Sequence, residues 1–251
     1  MTIKNALVTG AAKRLGRAIA LDLARHGWNV AIHYHHSEKE ARATEADAKS
    51  AGNKVALLKA DLSQEAQTET LIANAVSELG PLTALINSAS LFENDEWYST
   101  TRDSWDAHMQ TNLRAPFVLS QAFARQAPRG ENNAIVNIID QRVLKPTPQF
   151  ISYSLSKAGL HWLNTTLAQA LAPKVRVNAI GPGPTLRNER QSVDDFERQR
   201  AATILGHGAD ATDICAGVRY LLDAPSVTGQ MIAVDGGQHL IWQTADVLVK
   251  E

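Results

Sequence analysis

Residues 6–16 read Ala-Leu-Val-Thr-Gly-Ala-Ala-Lys-Arg-Leu-Gly, and this stretch decides the fold. The apolar run at 6–8 predicts a short buried strand, and apolar residues spaced three and four apart from Leu15 to Ala24 predict a helix. Glycines between a strand and a helix let the backbone approach a pyrophosphate at the positive helix end. The spacing departs from the usual G-x-G-x-x-G pattern, so an ordinary strand-to-helix turn stands as the alternative.

The same alternation of strand and helix continues along the chain. Further strands are predicted at 30–32, 55–58, 85–86, 134–139, 175–180 and 231–234. Further helices are predicted from a capping-box pattern at Ser37 to Gly52 and at 65–79, 101–111, 113–126, 152–171 and 212–222. This order favours an α/β fold, a single Rossmann-type doubly wound parallel sheet of about seven strands with helices on both faces.

Length and composition predict one compact domain over residues 1–251. Hydrophobic residues make up 44% of the 251 positions, which excludes global disorder. No linker-like or low-complexity stretch divides the chain, while the polar segment after Gly-Pro-Gly-Pro at 181–184 predicts a mobile substrate flap at about 184–208. Three tryptophans on or beside predicted helices, Trp97, Trp105 and Trp162, are expected to pack against the core.

Charge and cysteine content narrow the partners. Lys plus Arg is 25 and Asp plus Glu is 26, so the formal net charge of −1 predicts neither a nucleic-acid nor a membrane partner. The single cysteine, Cys215, fits a reducing compartment. The N-terminus lacks a signal-peptide pattern, and no apolar run reaches the ~18 residues of a spanning helix. We therefore expect a soluble, cytoplasmic protein.

The end of the second predicted strand indicates the cofactor. A carboxylate about 20 residues after the glycines typically binds the free 2′-hydroxyl of NAD(H). Residues 33–37 instead read His-Tyr-His-His-Ser, with no acid before Glu38. Together with Lys13 and Arg14, these donors suit a 2′-phosphate, which predicts NADP(H) over NAD(H). Metal binding by the three histidines is the alternative, and with no cysteine nearby we predict no metal site.

Tyr153 and Lys157 stand four apart on one predicted helix and so share a face. An ammonium group beside a phenol stabilises the phenolate and lowers its pKa, which helps tyrosine transfer a proton near neutral pH. Such a pair is common, and taken alone it also fits a surface pair without catalytic meaning.

The order of five motifs along the chain is more informative than any one of them. They are Thr9–Gly16, Asn87-Ser88-Ala89-Ser90, Asn112, Tyr153-x-x-x-Lys157 and Gly181-Pro182-Gly183. In this order and spacing the chain resembles the short-chain dehydrogenase/reductase family from Ala6 to about Gly237. It departs from the general pattern twice: Arg14 replaces the middle glycine of the first motif, and Asp140 stands thirteen residues before the tyrosine, where most members have serine. Both departures resemble the pteridine reductase branch and the bacterial dihydromonapterin reductases.

The resemblance implies roles at matching positions. The residues implied to cradle the pyrophosphate are Gly10, Arg14, Leu15 and Gly16. Those around the adenosine 2′-phosphate are Tyr34, His35, His36 and Ser37, and those bordering the adenine are Asp61 and Leu62. Those along the nicotinamide and its ribose are Asn87, Ser88, Ala89, Ser90, Tyr153, Lys157, Pro182, Gly183 and Thr185. His36 stands where the protozoan enzymes have Arg, which weakens the argument for NADPH preference.

The implied catalytic set is Asp140, Tyr153, Lys157 and Asn112, with Asn112 anchoring Lys157 through water. The implied substrate-binding set is Ser90, Phe92, Asp140 and Tyr153, with Phe92 stacking a flat pterin on the nicotinamide. A carboxylate at position 140 would repel a developing alkoxide but suits a ring nitrogen that must be protonated. The resemblance thus implies an NADPH-dependent dihydropterin reductase, assembled as a homo-oligomer, either a tetramer or a dimer.

Two other functions stay open at this point. One is an NADP-dependent short-chain carbonyl reductase of unknown substrate, against which Asp140 argues. The other is a non-catalytic NADP-binding protein, which would have no need to keep Tyr153, Lys157 and Asn112.

Overall fold

The computed structural model describes residues 4–248, in which strands and helices alternate. The ends of the domain predicted over residues 1–251 lie outside the described part. The strands are β1 (Asn5–Val8), β2 (Asn29–Tyr34), β3 (Val55–Lys59), β4 (Ala84–Asn87), β5 (Ala134–Ile138), β6 (Arg176–Pro182) and β7 (Met231–Val234). The helices are α1 (Arg14–Arg25), α2 (Glu38–Lys49), α3 (Glu65–Leu79), α4 (Arg102–Met109), α5 (Ala115–Gln126), α6 (Ile151–Leu171), α7 (Val193–Ala201) and α8 (Ala211–Asp223).

Within residues 4–248, the seven strands form one parallel sheet in the order β3-β2-β1-β4-β5-β6-β7. The strand order reverses at β1, where Leu7 lies between Ala31 of β2 and Leu85 of β4. In such sheets ligands bind at the carboxyl ends of the strands beside this reversal. The predicted fold class is confirmed, and the reversal places the loops after β1 and β4 side by side.

The sheet is covered on both faces because neighbouring residues of a strand point to opposite sides. Val8 packs into a core that α1 and α8 supply, with Ile19 and Val218 among its members. Leu7 packs into a second core on the other face, which α3 and α5 cover. Each fully buried Leu or Ile contributes about 1.5–3 kcal/mol relative to exposure. No helix among residues 4–248 is both long and apolar enough to cross a membrane.

Two helical predictions differ from the structure. The helices predicted at 101–111 and 113–126 are one continuous helix, in which a π-helical turn at Gln110–Arg114 joins α4 to α5. The predicted flap contains α7, which Ser192 caps: Oγ of Ser192 accepts a hydrogen bond of 3.0 Å from the amide of Asp195. None of the residues of α7 is buried, so it has no apolar stripe from which periodicity could predict it.

Two local expectations are wrong. Ser37 occupies the position before α2, but its side chain makes no capping hydrogen bond to the helix backbone, so the predicted capping box does not form. The three tryptophans do not pack into the core: Trp97 is 83% exposed, Trp162 is 74% exposed and Trp105 is 36% exposed. A helical position next to apolar residues does not reveal which face of the helix a side chain occupies.

Candidate active site

A cleft of about 1030 Å³ opens at the carboxyl edge of the sheet. It brings together eight of the predicted site residues, namely Arg14, Leu15, Phe92, Asp140, Tyr153, Pro182, Gly183 and Thr185. Fourteen further residues line it, among them Gln141, Arg142, Phe150, Arg190 and Gln238. The remaining predicted residues lie behind the cleft or at the ends of β2 and β3.

Asp140 and Tyr153 meet inside the cleft. The hydroxyl of Tyr153 donates a hydrogen bond of 2.7 Å to Oδ2 of Asp140, while Oδ1 of Asp140 accepts one of 2.8 Å from the amide of Arg142. Burial and the negative charge of Asp140 hold the pKa of Tyr153 well above its ordinary value. The pair is therefore a neutral phenol bonded to an acceptor carboxylate, held ready at the cleft wall.

Lys157, on α6, lies behind this pair and is buried. Its Nζ donates a hydrogen bond of 2.9 Å to the carbonyl of Ile138 and lies 5.8 Å from the centroid of the Tyr153 ring. Burial lowers the pKa of Lys157 to about 8. Burial and Asp140 raise the pKa of Tyr153, and the expectation that this lysine lowers it stays a prediction.

Asn112 sits in the π-helical turn and is buried. Its Oδ1 accepts a hydrogen bond of 2.8 Å from the amide of Leu91, and its Nδ2 donates to the carbonyl of Leu91 at 2.9 Å and to Oγ of Ser156 at 3.1 Å. The side chain thus fixes the segment after β4 against α6. Its direct partners do not include Lys157, and its predicted anchoring of that lysine stays a prediction.

Phe92 forms an aromatic wall of the cleft. Its ring stacks on Phe150, with centroids 4.5 Å apart and planes within 5°, and meets the Tyr153 ring edge-on at 4.7 Å. Phe150 has a φ of +56°, a rare conformation for a bulky residue that is found at functional sites. The guanidinium of Arg142 lies 4.8 Å from the Phe150 centroid. Neither Phe150 nor Arg142 belongs to a motif, and position beside the Tyr153 helix was the available signal.

The segment after β6 forms the opposite side of the cleft. The amide of Gly183 donates a hydrogen bond of 3.1 Å to the carbonyl of Val234, and Thr185 donates one of 3.1 Å to the carbonyl of Gly183. Pro182 ends β6, so these three predicted residues are held by the sheet itself. Ser90, at the end of its motif, is exposed and donates to the carbonyl of Leu91 at 3.3 Å.

The loop after β1 leaves no room for side chains at its glycines. A Cβ on Gly10, whose φ is +64°, would lie 2.8 Å from Cα of Ala89, and one on Gly16 would lie 2.3 Å from the carbonyl oxygen of Gly10. The amides of Ser88 and Ala89 donate to Oγ1 of Thr9 at 2.9 and 3.0 Å. The loops after β1 and β4 are therefore packed backbone against backbone at the point where the strand order reverses.

Arg14 joins this loop to the flap. Its guanidinium donates hydrogen bonds of 2.9 Å to the carbonyl of Leu186 and 2.8 Å to that of Arg187. Its φ of +54° lies in the left-handed region that favours glycine. The side chain is thus directed to the flap in this structure, and its predicted contact with a pyrophosphate stays a prediction.

His33, at the end of β2, supports the same loop from below. Its Nδ1 accepts a hydrogen bond of 3.1 Å from the amide of Gly10, and its Nε2 faces the carbonyl of Ala60 at 3.1 Å. Burial lowers the pKa of His33 to about 4, so the imidazole is neutral and Nε2 carries its proton. The sequence pattern included His33 among three histidines but did not predict this role.

The side chains predicted around the adenosine lie at the ends of β2 and β3. The imidazole of His35 lies 3.6 Å from Asp61 and is tilted by 33° against that of His36, with centroids 3.5 Å apart. Burial raises the pKa of Asp61, but hydrogen bonds from Ser63 outweigh it and hold that pKa below its ordinary value. Two of the residues predicted around the adenosine are buried, namely Leu62 and Tyr34. The side chain of Tyr34 packs against Ala12 and Ala41. Within residues 4–248, no group of three or more His, Cys, Asp or Glu side chains could hold a metal ion.

A buried chain of asparagines runs from β4 into α6. Nδ2 of Asn87 donates to Oδ1 of Asn137 at 2.8 Å, and Nδ2 of Asn137 donates to Oδ1 of Asn164 at 3.1 Å. Oδ1 of Asn87 is buried without a hydrogen-bond partner among residues 4–248. An unpaired buried acceptor costs about 1–3 kcal/mol. This free acceptor, beside a glycine loop with no space for side chains, fits a bound dinucleotide.

The comparisons with known proteins identify the family. A family model described as enoyl-(acyl carrier protein) reductase matches residues 10–239. A short-chain dehydrogenase/reductase of Armillaria gallica is 32% identical over 253 residues, covering 92% of this chain and 94% of that protein. The chain belongs to the short-chain dehydrogenase/reductase family.

Other members of this family separate into two kinds. The 3-oxoacyl-(acyl-carrier-protein) reductase FabG of Staphylococcus epidermidis is 32% identical over 242 residues, covering 94% of this chain and 99% of that protein. A crystal structure of FolM alternative dihydrofolate reductase 1 from Brucella suis in complex with NADP is 44% identical, with a TM-score of 0.93 over 97% of this chain and 98% of that chain. The Brucella canis protein, also complexed with NADP, is 42% identical, with a TM-score of 0.92 over 98% of both chains.

The geometry gives physical meaning to both departures from the general pattern of the short-chain dehydrogenase/reductase family. At position 14, a left-handed backbone that favours glycine carries an arginine bonded to the flap. At position 140, a carboxylate takes the hydrogen bond of the tyrosine hydroxyl, where most members have a serine hydroxyl. Both residues line the same cleft.

Proposed function

We propose that this chain is an NADPH-dependent reductase of dihydropterins, a group that includes dihydromonapterin, dihydrobiopterin and dihydrofolate. The observation that carries the proposal is the 2.7 Å hydrogen bond from Tyr153 to Asp140 inside the cleft. The sequence identity of 42–44% to two alternative dihydrofolate reductases solved with NADP supports it.

The reaction adds one hydride to the carbon and one proton to the nitrogen of a ring C=N bond. Bound NADPH supplies the hydride. Tyr153 and Asp140 hold one transferable proton between them as a coupled pair, with the phenol as its carrier. Because burial and Asp140 keep the pKa of Tyr153 high, the phenol stays protonated until a more basic acceptor arrives. The ring nitrogen becomes such an acceptor when hydride is added to the neighbouring carbon, whereas the alkoxide from a ketone would develop beside a carboxylate.

The residues around the pair would bind the two reactants. Phe92 offers a flat face for a heterocycle, next to Tyr153. The residues that would contact the nicotinamide riboside are Lys157, Asn87, Pro182, Gly183 and Thr185, and the loop at 10–16 would contact the pyrophosphate at the start of α1. The ends of β2 and β3 would hold the adenosine, with His35, His36 and Ser37 toward its 2′-phosphate.

The test is to follow NADPH absorbance with purified protein and a panel of dihydropterins. A simple ketone and NADH serve as controls, and Tyr153→Phe removes the proton carrier. We expect oxidation of NADPH with at least one dihydropterin, lost in Tyr153→Phe and weaker with NADH. Turnover of the ketone with silence on every pterin would overturn the proposal. Binding of NADPH with no turnover of either class would instead favour a non-catalytic NADP-binding protein.

A carbonyl reductase is the second candidate, favoured by the FabG relatives at 31–32% identity. A 3-oxoacyl thioester added to the substrate panel discriminates the two. The dihydropterin proposal predicts that this thioester is not reduced faster than the dihydropterins.

We further propose that the chain forms a homo-oligomer, a tetramer or a dimer. Leu155 and Trp162 stand seven residues apart on α6 and are both exposed, which places apolar side chains on its outer face. Light scattering on the purified protein measures the assembly, and Trp162→Glu should shift it toward the monomer.

A further inference from the structure

A buried polar chain ties the loop after β4 to α4 and α6. Its side chains are Asp95, His108 and Ser152, each at most 4% exposed. The amide of Ser152 donates to Oδ1 of Asp95 at 3.0 Å, and Oγ of Ser152 bonds both Oδ2 of Asp95 and Nδ1 of His108, the latter at 2.7 Å. The amide of Glu93 donates to Nε2 of His108 at 3.2 Å. No sequence motif contains these residues.

The hydrogen bonds of this buried polar chain can run in one direction only, with each group donating toward Asp95. The amide of Glu93 can only donate, so Nε2 of His108 is bare and its proton is on Nδ1. That proton faces both Oγ of Ser152 and the carbonyl of Ser104, which is 3.0 Å away, so the hydroxyl of Ser152 donates to Asp95. Burial raises the pKa of Asp95, but hydrogen bonds from Ser152 and Ser104 outweigh it and hold that pKa below its ordinary value. The ionised carboxylate is an acceptor, which completes a consistent order from Glu93 to Asp95.

The chain ends on the two sides of the cleft. Glu93 follows Phe92 directly, and Ser152 precedes Tyr153 directly. The rings of Phe92 and Tyr153 meet edge-on at 4.7 Å, and the His108 ring lies 6.1 Å from that of Tyr153. Any change in the chain therefore moves the aromatic wall relative to the proton carrier.

We propose that Asp95 is a positioning residue which, through Ser152 and His108, sets the spacing between Phe92 and Tyr153 and so the seat of the flat substrate. As a statement about substrate, this rests on the proposed dihydropterin reduction. Ser152 is not a nucleophile here, because it is wholly buried and its hydroxyl is engaged on both sides.

The competing role for Asp95 is that of a helix cap, since its Oδ1 accepts the amide of Ser152 at the start of α6. Asp95→Asn separates the two roles. Asparagine keeps an acceptor for that amide but places an N–H group against the hydroxyl of Ser152. The hydroxyl must then reverse, and His108 must move its proton to Nε2, where it meets the amide of Glu93. A cap alone predicts little effect, whereas the one-way chain predicts that the whole arrangement breaks.

The experiment combines NMR of the full-length protein with kinetics. In the wild type, nitrogen shifts should show the His108 proton on Nδ1, and nuclear Overhauser contacts should join the rings of Phe92 and Tyr153. In Asp95→Asn both signatures should change, and KM for the dihydropterin should rise about tenfold while Kd for NADPH stays within about twofold. Ser152→Ala should act likewise. Ser120→Ala is the matched control, a buried hydroxyl of α5 bonded to the carbonyl of Pro116, and should change neither.

This part of the test needs no substrate. If NMR shows the His108 proton on Nε2 in the wild type, the proposed one-way order of hydrogen bonds is wrong. Unchanged ring contacts and an unchanged KM in Asp95→Asn would reduce Asp95 to a helix cap. If the wild type reduced no pterin, the proposed function would fail, and the ring contacts would still decide whether Asp95 positions Phe92 against Tyr153.

Discussion

Oδ2 of Asp140 accepts the hydroxyl of Tyr153 at 2.7 Å, thirteen residues further along the chain. The carboxylate is oriented for this contact because its other oxygen accepts the amide of Arg142 at the start of a 3₁₀ turn. Its position is therefore fixed by backbone geometry at the end of β5. The hydroxyl of Tyr153 thus has an acceptor that is held at the edge of the sheet.

Replacing this acceptor should separate chemistry from cofactor binding. In Asp140→Ser we expect kcat/KM for the dihydropterin to fall at least about 100-fold, since general acid–base groups typically contribute this much or more. Kd for NADPH, from fluorescence titration, should change little, because the carboxylate faces Tyr153. A variant that keeps full pterin activity would exclude Asp140 from the proton transfer.

Acid should destabilise the protein through His33. Its pKa is lowered by burial to about 4 in the folded state from 6.5 when unfolded, so the unfolded chain takes up the proton first as pH falls. The free energy of unfolding should therefore fall between pH 6.5 and 4, by about 3 kcal/mol from this group. Urea unfolding at several pH values measures how steeply the free energy of unfolding falls with pH. His33→Gln should reduce this slope. His36→Gln, at an exposed position, is the control and should leave the slope in place.

Cofactor preference should respond to the end of β2. In His36→Asp, a carboxylate would stand where we propose the 2′-phosphate binds, and the two negative charges would repel. We expect KM for NADPH to rise about tenfold or more with little change in KM for NADH. Wild-type protein that uses both cofactors equally, with no response to this variant, would contradict the assignment of the phosphate site.

The flap should act on substrate through Arg190. Its guanidinium donates to the carbonyl of Phe92 at 2.6 Å and pairs with the carboxylate of Glu93, so it holds the aromatic wall from the flap side. Arg190→Ala should raise KM for the dihydropterin several-fold, about 1 kcal/mol, with Kd for NADPH unchanged. Arg198→Ala is the matched control in α7, since its partner Asp195 lies on the same helix. Equal effects of the two variants would mean that the flap acts only through its own stability.

The strands were predictable because they are short apolar runs between turn signals, and the central ones are buried on both faces. Residues 134–138, for example, are buried throughout. The helix α7 was not predictable, because polar and charged residues dominate its sequence and none of its residues is buried. The π-helical turn at Gln110–Arg114 was also missed, because the change in spacing there was interpreted as a break between two helices.

The motif residues around the cleft were predictable from spacing and from the resemblance, and the structure places Asp140, Tyr153 and Phe92 together. The pKa of Tyr153 was not, because its direction depends on whether Lys157 or Asp140 lies nearer the hydroxyl. The roles of three further residues were not predicted for a similar reason, namely those of Phe150, Arg190 and His33. Their roles come from contacts between distant parts of the chain, and no local pattern records such contacts.

The backbone at Arg14 has a consequence for engineering. A left-handed residue other than glycine costs roughly 1–2 kcal/mol, yet the arginine at this position supplies both hydrogen bonds from the glycine loop to the flap. Consensus redesign toward the family pattern would choose glycine here and would relieve the strain. It would also release the flap, so heat resistance and turnover should trade against each other at this one position.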